Sequence, residues 1–164
     1  MKALRAYPTH RGRIRWTCKS FRELSVAELY EIVRLRIAVF VVEQKCCYQD
    51  ADGLDQCSWH LMGRTRSKTL VAYVRIILPG KKFAEPTLGR LLVDRNFRTK
   101  GLARRLIENA IGVAEKMYPR LGIRASAQAY LRDSYKLFGF NPVGKSYLED
   151  GIPHFEIYRP PRDA

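Results

Sequence analysis

Apolar residues alternate with polar ones from position 14 to 19 (Ile14, Trp16 and Cys18 against Arg15, Thr17 and Lys19), the period of a strand with one buried face. A strand therefore opens the folded part of the chain. Ser25-Val26-Ala27-Glu28 has the Ser-x-x-Glu form of a capping box, and Leu29, Ile32, Val33, Ile37 and Phe40 follow at helical spacing. This predicts a first helix, and the polar stretch 49–56, with Gly53 inside it, predicts a loop. Residues 70–78 and 87–93 are rich in strand formers and are separated by Pro79-Gly80 and Pro86, so they read as neighbouring strands joined by a turn. From Gly101 the period changes: Leu102, Leu106, Ile107, Ala110, Ile111, Ala114 and Met117 mark one face of a helix that Pro119 stops. A strand over 123–127, a short helix over 131–138 closed by Gly139, and a last strand over 155–158 complete a mixed α/β order without internal repeats.

At 164 residues the chain has the length of one domain. Its 46% apolar and 28% charged residues exclude a disordered chain. No apolar run reaches the ~18 residues of a membrane span, and the stretch from Met1 to Arg15 lacks the apolar core of a signal peptide. A cytoplasmic protein without membrane contact is the expectation. Cys18, Cys46, Cys47 and Cys57 are then expected as reduced thiols. Cys47, Cys57 and His60 carry metal-binding atoms, but adjacent Cys46-Cys47 is not a C-x2-C knuckle and no second knuckle follows, so no metal is expected.

Thirty Lys and Arg against 16 Asp and Glu give a formal net charge of +14, which suits nucleic acid, an anionic membrane or a polyanionic small molecule and does not choose among them. The basic residues are densest at Lys2, Arg5, Arg11, Arg13 and Arg15, so residues 1–13 read as a solvated, mobile extension ahead of a domain over 14–164. The segment 91–103 narrows the choice. Leu91-Leu92-Val93 ends a strand, and Arg98-Thr99-Lys100-Gly101-Leu102-Ala103 turns into the long helix. The first N–H groups of a helix have no intrahelical partner and its dipole is positive there, so small residues admit a pyrophosphate to bare backbone. The segment has neither G-x4-G-K-[ST] nor G-x-G-x-x-G, which makes ATP and NAD poor fits. The plainer reading of Gly101 is a tight-turn residue.

Arg98-x-x-Gly101-x-Ala103, placed after a strand ending in Val93, resembles the acetyl-CoA signature [QR]-x-x-G-x-[GA] of the GNAT N-acetyltransferase superfamily. Ala127-Gln128-Ala129 and Tyr135-x-x-x-Gly139-Phe140 are similar to its second landmark, a helix whose Tyr approaches the CoA sulfur. Leu35-Arg36, Val39-Phe40-Val41-Val42-Glu43-Gln44, Tyr48-x-Asp50-x-Asp52 and Glu149-Asp150-Gly151-Ile152-Pro153-His154 resemble the small bacterial ElaA-type branch, with coverage from Ile14 to Tyr158. The chain departs from that pattern in its N-terminal extension, at Thr99 where a Gly is common, at Tyr130 where a His is common, and at Ser134 where an aromatic is common. Tyr130 and Ser134 fall near the expected thioester and so bear on acceptor preference.

The resemblance implies a central, mostly antiparallel sheet with helices on both faces, and acetyl transfer from acetyl-CoA to an amine by direct attack in a ternary complex. It also implies that the pantetheine arm lies beside Leu91, Leu92, Val93 and Gln128 and that the amides from Arg98 to Ala103 take the pyrophosphate. Acetyl-CoA and an amine acceptor are the partners expected, and a homodimer is compatible with the family. A rival class is a basic nucleic-acid-binding module, supported by charge but by no recognisable motif. A third is a GNAT-fold CoA sensor without turnover.

The chemistry asks for two proton-handling groups. A lysine-like amine of pKa ~10.4 holds its proton at neutral pH, and removing it costs about 4–5 kcal/mol, so a base should face the acceptor. Glu43, Glu149, Asp150 and His154 are the candidates, with Glu43 and His154 favoured. A departing thiolate, conjugate to a thiol of pKa ~8.5, is protonated by a phenol within reach, the role open to Tyr135. Each has a plainer reading: Tyr135 as a packed helix aromatic, His154 as a locally bonded turn residue, Glu43 as a helix end paired with a surface Arg. Glu43, Asp50, Asp52 and Asp55 are accompanied only by Lys45, and Glu149 and Asp150 form a second acidic group. Together they predict an acidic concavity for a cationic acceptor, in which Asp52, Glu149 and Asp150 orient the amine. The alternative is that these carboxylates cap turns and pair with arginines.

Overall fold

The computed structural model describes residues 13–98 and 101–162. β1 (Arg15–Ser20) is followed by α1 (Val26–Arg36), capped as expected: the Ser25 hydroxyl accepts from the Glu28 amide at 3.2 Å and the Ser25 amide donates to Glu28 Oε2 at 2.9 Å. The helix does not continue unchanged to Phe40. Over Ile37–Glu43 it widens into π-helical turns, with the Gln44 amide bonded to the Val39 carbonyl and that of Cys46 to Val41, both at 3.2 Å. The buried face is accordingly Ile32, Leu35, Arg36 and Val39, while Ile37, expected inside, is 42% exposed.

β2 (Ser58–Arg64), β3 (Leu70–Ile77) and β4 (Thr87–Val93) form an antiparallel meander with β1. α2 (Leu102–Met117) crosses over to β5 (Ile123–Gln128), α3 (Arg132–Lys136) follows, and the hairpin β6 (Asn141–Glu149) and β7 (Ile152–Arg159) closes the chain. The sheet order is β1-β2-β3-β4-β5-β7-β6, antiparallel except between β4 and β5. α2 and α3 cover one face through Leu102, Leu106, Ile107, Ala110, Ile111, Ala114 and Tyr135, and α1 covers the β2–β4 half of the other. Among the described residues no helix covers the β5-β7-β6 half of that second face.

Two elements were not anticipated from pattern. β2 is buried along nearly its whole length, so no alternation marks it. β6 is an edge strand with every residue but Glu149 exposed, and it contains Pro142 and Gly144. Arg13 is the only part of the expected basic extension among the described residues. The four cysteines are free thiols, His60 is fully buried, and no group of three or more His, Cys, Asp or Glu among the described residues is arranged to hold a metal. No helix among those residues is long and apolar enough to cross a membrane.

The acidic loop of residues 49–57 is stapled to the sheet by arginines from three elements. Arg36 of α1 donates through Nη1 to Asp55 Oδ1 at 2.6 Å, and its Nε lies 2.9 Å from Asp50 Oδ2. Arg75 of β3 donates to the same Asp55 oxygen at 3.0 Å and grips Asp52 with both terminal nitrogens. Arg90 of β4 donates through Nε to Asp50 Oδ1 at 2.8 Å and reaches Asp52 at 3.3 Å. Asp55 serves two arginines at once, and removing it leaves three guanidinium groups against two carboxylates, so Asp55→Ala is expected to cost about 3–5 kcal/mol of unfolding free energy. Urea unfolding checks this, and a loss under about 1 kcal/mol, the weight of an exposed pair, would refute it.

Candidate active site

The cleft begins with an irregularity in β4. Tyr73 pairs with Leu92 and Arg75 with Gly89, so two residues of β4, Arg90 and Leu91, oppose the single Val74 of β3. This is a β-bulge, and Arg90 takes φ +54° to make it. The bulge bends β4 away from β5, whose parallel ladder with it ends after Thr87–Arg124 and Leu88–Ala125. Beyond that point the facing backbone groups of β4 and of β5 are open to a ligand. At the mouth of the gap Gly101 caps α2 with φ +102° and supplies no side chain to its first turn, whose leading amides have no intrahelical partner.

The gap opens into a cavity of about 790 Å³ lined by the end of the π-helical segment, β4, β5, α3 and the β6–β7 turn. Leu91, Leu92, Val93, Arg98, Ala103 and Gln128 line it, as do Glu43, Tyr135, Glu149, Asp150 and His154. Gly101 and Leu102 sit just outside, Leu102 with its side chain in the core. Thr99 and Lys100 lie outside the described residues. Asp52 does not reach the cavity, because its carboxylate is committed to Arg75, Arg90 and the Leu54 amide. Desolvation works against that charge, but the Arg75 pair outweighs it and holds the carboxyl well below its usual range. Asp50 and Asp55 are spent in the same way, so the acidity facing the cavity is narrower than the sequence suggested.

Three groups have geometry suited to proton traffic. Tyr135 packs edge-on against Phe140 at 5.7 Å between ring centroids, and burial pushes its phenol up to about 12, so it carries its proton at neutral pH. His154 Nδ1 lies 2.8 Å from the Ile152 carbonyl; a carbonyl only accepts, so Nδ1 holds a proton and Nε2 is the nitrogen through which the ring can exchange one. Glu43 is gripped in a fork by Arg98, at 2.5 Å to Oε1 and 3.0 Å to Oε2, and this pair is the first cause holding its carboxyl below the ordinary value. Glu43 thus both ends the first helix and pairs with an arginine.

Glu149 and Asp150 stand at the tip of the β6–β7 hairpin, where Asp150 at φ +51° and Gly151 at φ +78° make a two-residue turn of the primed type. Ser126, unnoticed in the sequence, donates to Glu149 Oε2 at 3.0 Å and also contacts the Tyr147 hydroxyl. The Tyr147 ring stacks on His154 with centroids 6.1 Å apart. Alternation along β5 could have flagged Ser126, which shares a face with Gln128; nothing local predicts Tyr147, whose strand carries no amphipathic signal.

Residues 31–157 match the family model described as an acetyltransferase (GNAT) domain. A UPF0039 protein of Synechocystis is 43% identical over 149 residues, which cover 90% of this chain and 97% of that one. Protein ElaA of Escherichia coli is 38% identical over 148 residues, covering 89% and 96%, and its crystal structure superposes with a TM-score of 0.84 over 90% of this chain and 99% of that one. The crystal structure of an acyl-CoA N-acyltransferase from Pseudomonas aeruginosa, 40% identical, superposes with a TM-score of 0.86 over the same shares.

Gly101 offers a charge test of the cleft mouth, since a Cβ there meets nothing within 4 Å and Asn and Asp both tolerate positive φ. Gly101→Asp and Gly101→Asn share the backbone strain and differ only in charge. Calorimetry is expected to find coenzyme A bound about tenfold more weakly by the Asp variant, the ~1.4 kcal/mol of like-charge repulsion that survives solvent screening. Equal affinities for the two variants would remove the phosphates from this turn.

Proposed function

The chain belongs to the GNAT acetyltransferase family, in its ElaA-type branch, and on that premise we propose that it moves acetyl from acetyl-CoA to a primary amine by direct attack in a ternary complex. The observation that carries this reading is the continuity of the β4–β5 gap with the cavity. A thioester laid along the backbone of Leu91 and Val93, where Arg98 Nε now occupies the Val93 carbonyl, with its pyrophosphate at the first turn of α2, extends toward Tyr135. The amine enters from the uncovered half of the sheet, where His154 and Glu149 stand.

The ammonium first loses one proton to solvent; the neutral nitrogen then bonds to the thioester carbonyl carbon, the carbon–sulfur bond breaks, and two further transfers, one proton off the nitrogen and one onto the sulfur, close the balance. His154 Nε2 takes the proton that the nitrogen must lose on attack, since the Ile152 carbonyl holds Nδ1 and orients the ring with Nε2 as its exchanging atom. Tyr135 gives its proton to the departing thiolate; its hydroxyl bonds to no other described residue and is free to turn toward the sulfur. Ser126 and Tyr147 hold Glu149 in place as an anion that attracts the ammonium form. Direct attack is supported by the cavity's acid and base, which leave no need for an acyl-enzyme.

Release of free thiol from acetyl-CoA over a panel of amines and peptides identifies the acceptor, and no release with any primary amine would sink the reading. In the productive assay Tyr135→Phe keeps the ring and removes the acid, so kcat is expected to fall about 100-fold while coenzyme A affinity holds. A kcat within about threefold of the parent, where chemistry limits the rate, would assign the proton to another group.

A further inference from the structure

Arg98 stands between the two halves of the site and is bonded to both. Its Nε donates to the Val93 carbonyl at 3.1 Å, on the strand along which the donor arm lies, while its two terminal nitrogens hold Glu43 on the far wall. Arg98 is also the first residue of the turn that leads to the free amides of α2. A pyrophosphate at that turn and the Glu43 carboxylate therefore compete for one guanidinium.

Magnitudes decide the competition. The Arg98 and Glu43 side chains are 44% and 30% exposed, so their pair is screened by solvent and is a weak hold on either partner. A pyrophosphate brings more charge than a carboxylate and accepts the guanidinium fork equally well. Once Arg98 turns to it, Glu43 has no other ion-pair partner among the described residues. Its carboxylate then faces the same cavity as Glu149, whose hydrogen-bond partners are the hydroxyls of Ser126 and Tyr147. Arg95 attracts it from a distance without forming an ion pair among the described residues, so an acceptor ammonium in the cavity can take the vacated place.

We propose that Arg98 exchanges partners during the reaction: Glu43 holds it in the donor-free protein, the donor's pyrophosphate takes it over, and the freed Glu43 carboxylate then holds the acceptor's ammonium. The inference rests on the reading that a CoA thioester occupies the β4–β5 gap, and it makes Glu43 a specificity residue for cationic amines. The Val93 carbonyl is released by the same movement and becomes available to the donor arm.

A double-mutant cycle tests the exchange without needing the acceptor. Glu43→Gln removes the competitor, so it should tighten calorimetric binding of coenzyme A by about two- to fivefold, the weight of one exposed ion pair. In an Arg98→Ala background the same substitution should change nothing. Equal tightening in both backgrounds reports only the loss of a negative charge near a polyanion and overturns the proposal, as does no tightening in either. With the amine found in the thiol-release panel, Glu43→Gln should raise the amine KM while it lowers the coenzyme A Kd, opposite movements that a disturbed fold does not produce. An unchanged or lower amine KM denies Glu43 its hold on the acceptor. Wild-type protein that binds no coenzyme A at all overturns the functional reading itself, and this one with it.

Discussion

A buried and electrically balanced cluster, three arginines against three aspartates, is the constraint on which the active cleft depends. All three aspartates come from one loop, and each arginine comes from a different element: Arg36 from α1, Arg75 from β3 and Arg90 from β4. Ion pairs out of water add little net stability compared with apolar packing, but they are directional, and direction is what this side of the sheet lacks otherwise. The apolar cluster beneath α1 has seven buried residues where that beneath α2 has nineteen. The thinner side is therefore held by charge. The same bonds keep Arg90 in its positive-φ conformation, which stores strain that only an over-determined site retains. The bulge, the divergence of β4 from β5 and the resulting cleft all follow from that one restrained residue.

His60 and Tyr73 protect the balance from below. His60 Nε2 lies 3.0 Å from the Asp55 carbonyl and must donate to it, so Nδ1 accepts from the Tyr73 hydroxyl at 2.8 Å. Burial is the first cause lowering the affinity of His60 for a second proton, and it also holds Tyr73 in its neutral form. Both side chains are fully buried and uncharged, so the cluster above them keeps equal numbers of positive and negative groups.

Where periodicity and chain-local chemistry coincide, the sequence was enough. The stripe from Leu102 to Met117, the strand ending at Val93 and the glycine between them each carry their own signal, and the strand–turn–helix that frames the β4–β5 gap was legible from them. The true extent of the acidic groups facing the cavity was not, for a definite reason. Asp50, Asp52 and Asp55 look like surplus negative charge when neighbours along the chain are counted, yet their partners stand 14 to 40 residues away. Charge balance is a property of the folded arrangement, and a tally along the chain cannot see it. The same distance hid Tyr147, which reaches Ser126 from an edge strand with no amphipathic pattern of its own. The π-helical widening after Arg36 left no mark either, because the apolar spacing there suits an ordinary helix as well.

The two walls of the cleft differ in what else depends on them. β4 lies inside the sheet, paired on both sides, with α2 and the charge cluster resting on it, so a change in its backbone reaches the core. The wall that carries Glu149 and Asp150 is the tip of the outermost hairpin, and among the described residues β6 has a backbone ladder with β7 alone, joined to β5 only by the side-chain bonds of Tyr147 and Glu149 to Ser126. Substitutions, and even insertions, at that tip disturb little beyond the tip itself. Over evolutionary time the two walls can drift at different rates, and one stable frame can come to border differently shaped cavities by editing a single exposed turn.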